Sequence, residues 1–399
     1  MQSYTEKTSC RVCSSKNLRQ VLDLNDQPLA NSYHNGVEQQ SFPLVLNLCE
    51  DCFHLQLSVV VDPNLMFKDY LYVSGTSKTL HDYFVEFAKI CEKTRPNGAS
   101  ILDIACNDGT QLDKFKERGW DTFGVDPAEN LHSLSNKNHD VVCDYWSPGV
   151  ATKMNRVYDV LIAQNVFAHV DNVHEFLSAC ALVMNEESVL MIQTSQADMI
   201  TNNEFDTIYH EHLSFFNTSS MKKCANINGF SLADVFKTDI HGTSYVFVLK
   251  KGEHSEEKSI RQIAIEREAG LFELETYTKY AEKCHTIATD LQAAIADFKQ
   301  KNCKIVGYGA AAKGNTFLNF GSISLDYIVD DNPLKWDLLT PGRNIPIRDP
   351  KVLQNESVPD TVVVPLAWNF FKEISSKTRD IVDSDEIRFI KYFPEVRVL

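Results

Sequence analysis

Nowhere does the chain have an apolar run approaching the length of a membrane span. Its opening residues, MQSYTEKTSC, also lack the basic segment and apolar stretch of a secretory signal, so a cytoplasmic protein with no membrane partner is expected. Basic charge is in short supply: 39 Lys and Arg stand against 54 Asp and Glu, a net charge of −15. That excludes a broad nucleic-acid surface, which needs clustered cations to neutralise phosphates, while a local basic pocket stays compatible. Glycine is sparse where a dinucleotide fingerprint would need three, because the turn after SILDIA offers only Gly109. What is present is ordinary for a globular protein, with 43% hydrophobic and 23% charged residues in a chain of 399, enough for two or three domains with cores of their own.

Eleven cysteines without a secretory signal point to thiols or metal ligands and away from disulfides. Cys10 and Cys13 form one CxxC pair, Cys49 and Cys52 another, with 35 residues between them. Each such turn aims two thiolates at one ion, and two turns close a tetrahedral zinc site with no position open for substrate. A redox role fits less well, since neither pair joins a strand to a helix as in thioredoxins. Leu22–Asn31 and Leu44–Leu48 read as short strands and turns, so a module of this size needs the metal as its core. Beyond it, residues 66–95 open with an aromatic-rich stretch. They continue, after a cap at Thr76 or Ser77, as a helix with Leu80, Phe84, Phe87, Ala88 and Cys91 on one face. Tyr70 and Tyr72 share parity and would face one way in extended chain, where packing is the plainer account.

At Ala99 the pattern changes to strand (Ser100–Ala105), Gly-containing turn, helix, and a second strand (Thr122–Val125) tipped by Asp126, the opening of a doubly wound sheet. Asn107–Asp108–Gly109 lets the backbone approach an uncharged or cationic nucleoside, and Asp126 could accept both ribose hydroxyls. That favours S-adenosylmethionine over NAD, a helix cap being the simpler alternative for Asp126. Tyr158–Gln164 is the next strand, with Asn165, His169 and Asp171 at its C-terminal end. Val173–Met184 follows as a helix and Ser188–Gln193 as a strand that brings Gln193 and Thr194 to the same rim.

Phe205–Phe216, FDTIYHEHLSFF, then places Tyr209, His210, Glu211 and His212 in succession between apolar neighbours. Four proton-handling groups in a row suit general acid/base chemistry; a polar turn that happens to hold two histidines is the alternative. Residues 219–249 give a helix and a hairpin-like pair with His241–Gly242–Thr243–Ser244 between the arms. Glu253–Lys301 is charged and free of proline, two helices broken near Gly270 that serve as a packing connector. A second α/β unit follows: strand Cys303–Tyr308, the small-residue turn of GYGAAAKGNTFLNF, strand Leu325–Val329 ending at Asp330–Asp331, and strand Thr361–Val364. Such a turn at a helix N-terminus suits phosphate, with Lys313 adding a point charge, although close helix–sheet packing also demands small residues.

Taken in order, CRVC, CEDC, YLYVSGTS, LDIACNDGT, NVFAHV, FDTIYHEHLSFF, HGTS, GYGAAAKGNTFLNF, DDNP, TPGRNIPI and PLAWNF resemble the S-adenosylmethionine-dependent C-methyltransferases of nucleotide-linked 4-keto-deoxysugars, over nearly the whole chain. The resemblance implies an α/β protein in three parts. A small zinc-binding domain (1–67) would precede a central Rossmann-like methyltransferase domain (68–252). A helical connector with a C-terminal Rossmann-like nucleotide-sugar-binding domain (253–399) would follow, the sugar nucleotide lying between the latter two.

It also implies His212 as the base that forms an enolate, Glu211 orienting or polarising it, and Tyr209 with Tyr72 at the ketone oxygen. Asp103, Ala105, Asn107, Asp108, Gly109, Asp126, Gln164 and Asn165 would hold S-adenosylmethionine. Tyr70, His169, His241, Tyr308, Gly309, Ala310, Lys313 and Asp330 would hold the substrate, a nucleotide-diphosphate 4-keto-deoxysugar, in a monomeric enzyme. Zinc on Cys10, Cys13, Cys49 and Cys52 would be structural. Two positions depart from the family pattern: Ala105 stands where glycine is usual, and Gln193–Thr194 where an acid is common. His210 has no role and is expected to be solvated. The competing readings are a methyltransferase acting on a sugar oxygen or nitrogen, and a zinc-containing binding protein without turnover.

Overall fold

A computed structural model describes residues 3–67, 73–76, 78–95, 98–240 and 242–399. They gather into two compact units, each assembled from separated segments: residues 1–19, 47–197 and 211–272 in unit one, and 20–46, 198–210 and 273–399 in unit two. Residues 20–46, which chain order places with the cysteine module, are thus gathered with the C-terminal half.

Unit one is built on a seven-stranded sheet. Its strands are β1 (Ser100–Ile104), β2 (Asp121–Val125), β3 (Asp140–Val142), β4 (Val160–Gln164), β5 (Val189–Thr194), β6 (Phe230–Thr238) and β7 (Ser244–Lys251), in spatial order 3-2-1-4-5-7-6. β7 alone runs antiparallel to its neighbours. Alternate residues divide between two cores, as the period of two along a strand requires. Leu102, Ile104, Leu161, Ala163, Leu190 and Ile192 pack with Phe167, Phe176 and Leu177 on one face. Ile101, Val160, Ile162, Val189 and Met191 pack with Phe87, Cys91 and Phe115 on the other. The helix Lys78–Glu92 buries Leu80, Phe84, Phe87, Ala88 and Cys91, the stripe expected from spacing. Strand order reverses between β1 and β4, and in such sheets the crevice beyond the strand ends at that point is where ligands bind.

The cysteine module of unit one is tied down by backbone pairing. Tyr4–Glu6 pairs with Val59–Val61, and Leu55–Gln56 pairs antiparallel with Ser214–Phe215. Arg11, inside the first CxxC turn, is buried; it donates to the Leu57 carbonyl at 2.8 Å and to Asp171 at 3.0 Å.

Unit two carries a six-stranded sheet of β8 (Lys304–Tyr308), β9 (Tyr327–Val329), β10 (Ile347–Arg348), β11 (Thr361–Pro365), β12 (Arg388–Lys391) and β13 (Arg397–Val398), in order 10-9-8-11-12-13. All neighbours are parallel except the last pair. This is again a doubly wound arrangement, with its switch point between β8 and β11. Helix Ala312–Phe320 follows β8, and its Asn315 donates to the Ala30 carbonyl at 2.8 Å. The runs expected as short strands are long ones, Leu18–Pro28 and Ser41–Cys49. The break expected near Gly270 is real: helices Glu257–Glu268 and Leu274–Gln300 flank it, and Gly270 has φ 77°.

Candidate active site

β1 delivers the chain into a turn that two left-handed residues bend, Ala105 at φ 66° and Asn107 at φ 52°. Gly109, at φ 83°, begins the next helix at a point where a Cβ would come within 3.1 Å of the Ser135 backbone. Asp126 at the tip of β2 fastens this turn, accepting from the Asn107 N–H and the Ala128 N–H, both at 2.8 Å. The side chains of Asn107 and Asp108 accept the N–H groups of Ser74 at 3.0 Å and Gly75 at 2.9 Å. They therefore anchor the segment leading into the Lys78–Glu92 helix. Burial drives the Asp103 carboxyl well above the usual range, with Asp126 and Asp108 adding repulsion, and burial raises Asp126 as well. A positively charged ligand, such as a sulfonium, relieves that crowding of acids.

At the end of β4, Gln164 donates to the Gln193 side chain at 3.3 Å, and the Asn165 N–H donates to the Gln193 carbonyl at 3.0 Å. The Tyr83 hydroxyl donates to the same Gln193 side-chain oxygen. Where an acid is common, this chain thus holds a neutral group whose acceptor serves internal bonds. Asn165 Oδ1, Thr194 Oγ1, Gln196 Oε1 and His169 Nε2 are buried with no partner among the described residues.

The run singled out by its histidines divides between the units: His210 closes a unit-two segment and Glu211 resumes unit one. His212 is 4% exposed, and its neighbour Leu213 is held on both sides, donating to the Ala168 carbonyl at 2.8 Å and accepting from the Leu57 N–H at 3.0 Å. The first of these bonds brings His169 close. The two imidazoles lie with centroids 5.1 Å apart, and Phe67 stacks on His169 at 5.6 Å. Burial lowers His169 to about 4, so it is neutral near pH 7. Gln196 Nε2 lies 3.3 Å from His212 Nδ1. Glu211 is buried and Tyr209 half-buried.

His210 corrects the expectation of a solvated side chain. It is 2% exposed, its Nε2 lies 3.3 Å from the carbonyls of both Phe42 and Pro43, and burial lowers it to about 4. It is a structural anchor within unit two. Tyr70, Tyr72 and His241 lie outside the described residues.

In unit two the turn after β8 is closely bound. Gly309 adopts φ 89° and packs against Ala367, where a Cβ would meet another Cβ at 2.9 Å. The Ala310 N–H donates to Asp330 at 2.7 Å, while its carbonyl accepts from Tyr33 at 2.5 Å and Lys335 at 2.7 Å. Tyr308 donates to Asp331 at 3.1 Å. Asp330 therefore shapes the turn, and helix Ala312–Phe320 follows it with Lys313 in its first turn. Lys313 Nζ lies 5.2 Å over the Trp368 ring, whose N–H donates to Asp206 at 2.7 Å. Sequence reasoning missed Tyr33, Gln196, Asp206, Lys335 and Trp368. Only Trp368, inside the PLAWNF segment, and Asp206, inside FDTIYHEHLSFF, carried any signal.

Far from the histidines in sequence, the four cysteines converge. Sγ of Cys10 lies 3.6 Å from that of Cys52, Cys13 lies 3.5 Å from Cys49, and all four are within 4.8 Å of one another. Zn–S bonds of about 2.3 Å give tetrahedral S–S edges of about 3.8 Å, so this donor set fits zinc. It is the sole such metal-ligand group among the described residues.

Three family models match in succession: a zinc binding domain over residues 10–67, a methyltransferase domain over 77–235, and a C-methyltransferase C-terminal domain over 239–394. The chain is 26% identical over 407 aligned residues to C-methyltransferase NovU of Streptomyces niveus, covering 98% of this chain and 96% of that one. It is 32% identical over 104 residues to a ubiquinone biosynthesis O-methyltransferase of Rhodopseudomonas palustris, a match to 24% of this chain and 40% of that protein. Among solved structures, the magnesium protoporphyrin IX methyltransferase of Synechocystis with bound SAM aligns at 14% identity and a TM-score of 0.33, over 44% of this chain and 79% of that one.

Proposed function

Because the chain belongs to the S-adenosylmethionine-dependent C-methyltransferases with an N-terminal zinc-binding domain, we propose that it methylates C3 of a nucleotide-linked 4-keto-deoxysugar, with His212 as base. The C4 ketone acidifies the hydrogen on C3. His212 takes that proton, and the electron pair passes into the enolate. The enolate carbon attacks the S-methyl carbon in line; the new C–C bond forms as the C–S bond breaks, leaving S-adenosylhomocysteine, while His212 holds the proton. Tyr209 and Tyr72 are assigned to the enolate oxygen, where a donor lowers the barrier most, and Glu211 to orienting the base. Asp126 and the turn at residues 105–109 serve the methyl donor. The N-terminus of helix Ala312–Phe320 with Lys313 serves the diphosphate. The three-part division at residues 67 and 252 is retained as a division of roles, with zinc structural.

The observation that carries this reading is His212 itself, buried and beside a neutral imidazole. Were His169 charged, its field across the 5.1 Å between rings would oppose proton uptake at His212. Kept neutral, His169 spares His212 that opposition.

The test is His212→Ala, assayed with a panel of dTDP-, GDP-, UDP- and CDP-linked 4-keto-deoxysugars by mass gain of one methyl. Methyl transfer should fall by at least ~10²-fold, with S-adenosylmethionine affinity nearly intact. Near-wild-type turnover would place the base elsewhere.

A further inference from the structure

Arg11 stands inside the first CxxC turn between Cys10 and Val12, both buried, and its guanidinium is fully enclosed. A buried guanidinium persists where carboxylate and carbonyl oxygens meet it. Here Nε donates to Asp171 Oδ1 at 3.0 Å and Nη1 to the Leu57 carbonyl at 2.8 Å. The backbone joins the same grip: the Arg11 N–H donates to Gln56 Oε1 at 2.8 Å, and Gln56 Nε2 donates to the Ser9 carbonyl at 3.0 Å. The cysteine turn thus holds residues 56–57 and 171 at once.

Both of those places lead to the histidines. The Leu57 N–H donates to the Leu213 carbonyl at 3.0 Å, and the Leu213 N–H to the Ala168 carbonyl at 2.8 Å. Ala168 continues through His169 and Val170 to Asp171, so the bonds close a ring that runs from Arg11 by way of Leu57, Leu213, Ala168 and Asp171 back to Arg11. His212 precedes Leu213 directly, His169 lies between Ala168 and Asp171, and the two imidazole centroids are 5.1 Å apart. The joints at Leu213 and Ala168 are backbone bonds; the side chain of Arg11 is what closes the ring. Lys7 also reaches Asp171 Oδ1, at 2.9 Å, from a half-exposed position. A pair near solvent contributes little, whereas a charge-assisted bond from an enclosed guanidinium is among the strong ones.

Resting on the assignment of His212 as base, we propose that Arg11 is a positioning residue for that base: by holding Leu57 and Asp171 together it sets the distance between the His212 and His169 rings. The cysteine turn thereby governs turnover without touching substrate, through geometry, where a displacement of about 1 Å can cost ~10²-fold in rate.

The test uses full-length, zinc-loaded protein. Arg11→Met fills the buried volume without a charge, an exchange that stability often tolerates. Asp171→Ala removes the other end of the bond at a half-exposed site, Asp171→Asn keeps an acceptor there, and Lys7→Ala removes the outer cation alone. In deuterated protein with protonated histidines, the nuclear Overhauser contact between the His169 and His212 rings, assigned with His169→Gln and His212→Ala, reads their separation. It should be present in wild type, Asp171→Asn and Lys7→Ala, and weakened in Arg11→Met and Asp171→Ala. With the nucleotide-sugar panel, kcat should fall at least ~10-fold in those last two variants, at equimolar zinc and with KM little changed, while Asp171→Asn and Lys7→Ala stay near wild type. Folded, zinc-loaded Arg11→Met with wild-type kcat overturns the proposal, as does a loss of kcat with the ring contact unchanged, or equal impairment by Lys7→Ala. Should Arg11→Met fail to fold or lose zinc, Asp171→Ala decides: an unaltered ring contact and rate there count against the role of Arg11. If His212→Ala remains active, the assignment of the base is what fails; if His212→Ala is dead while Arg11→Met and Asp171→Ala turn over normally, only the role of Arg11 does.

Discussion

Asp206 offers a measurement that needs no substrate. Its side chain is completely buried, with one oxygen accepting from the Trp368 indole and the other without a partner among the described residues. Burial raises its pKa to about 7, with Lys313 and the Trp368 bond pulling the other way and Glu204 adding repulsion. An acid raised from 3.8 to about 7 binds a proton in the folded state across that interval while the unfolded chain has lost it. Stability is therefore full below pH ~4, falls by about 1.4 kcal/mol per pH unit up to pH ~7, and is flat above it, a total of about 4 kcal/mol.

Asp206→Asn keeps an acceptor for Trp368 and has no charge to bury, so it lacks this pH dependence. For 399 residues unfolding together, an entropy of about 2.1 cal/mol/K per residue makes 4 kcal/mol worth about 5 °C in Tm. Thermal scans of both proteins from pH 4.5 to 8.5 should show the variant gaining on wild type by about 4 °C up to pH ~7 and no further. A Tm difference that stays constant across the range refutes the reasoning, and one that shrinks with rising pH has the sign wrong.

Two further outcomes follow from backbone and metal. Ala105 sits at φ 66°, a region that costs an L-residue about 1–2 kcal/mol, while glycine's greater freedom in the unfolded chain gives back about 0.5–1. Ala105→Gly should raise stability by up to about 1 kcal/mol, seen as a higher urea midpoint at unchanged m; a lower midpoint would contradict the left-handed turn. Cys49→Ser should lose zinc, from equimolar toward none by elemental analysis. Because Leu57 bonds Leu213 and Gln56 pairs with Ser214, amide exchange at residues 213–215 should speed up with it. Unchanged protection there would mean that the segment after His212 holds without the metal.

Local pattern carried much of the fold. The stripe Leu80, Phe84, Phe87, Ala88 and Cys91 is the buried face of its helix, and the apolar runs at residues 100–105, 158–164 and 188–193 are central strands within a residue or two of their expected ends. These signals survive in the sequence because burial on both faces of a parallel sheet demands uninterrupted apolar runs. Polar side chains were less legible, since nothing local says which partner each will meet. Asn107 and Asp108 gave no sign that they grip the backbone of Ser74 and Gly75; His210 looks solvated and is sealed against Phe42 and Pro43. Gln196 and Asp206 gain their interest wholly from what folding puts beside them.

By itself the sequence determined the chemistry available. Two CxxC pairs gather four thiols suited to a metal, one glycine and an acid follow consecutive strands, and a Tyr-His-Glu-His run supplies proton-handling groups, because residue type and short spacing are properties of the chain alone. Tertiary structure decided the assignments among them. It joined residues 20–46 to the C-terminal half, brought Leu55–Gln56 against Ser214–Phe215, set His169 beside His212, and turned one histidine of the run into an anchor while the other faces Gln196. Such contacts include one between residues 303 positions apart. They depend on burial and on the backbone hydrogen bonds of distant strands, which no local pattern encodes.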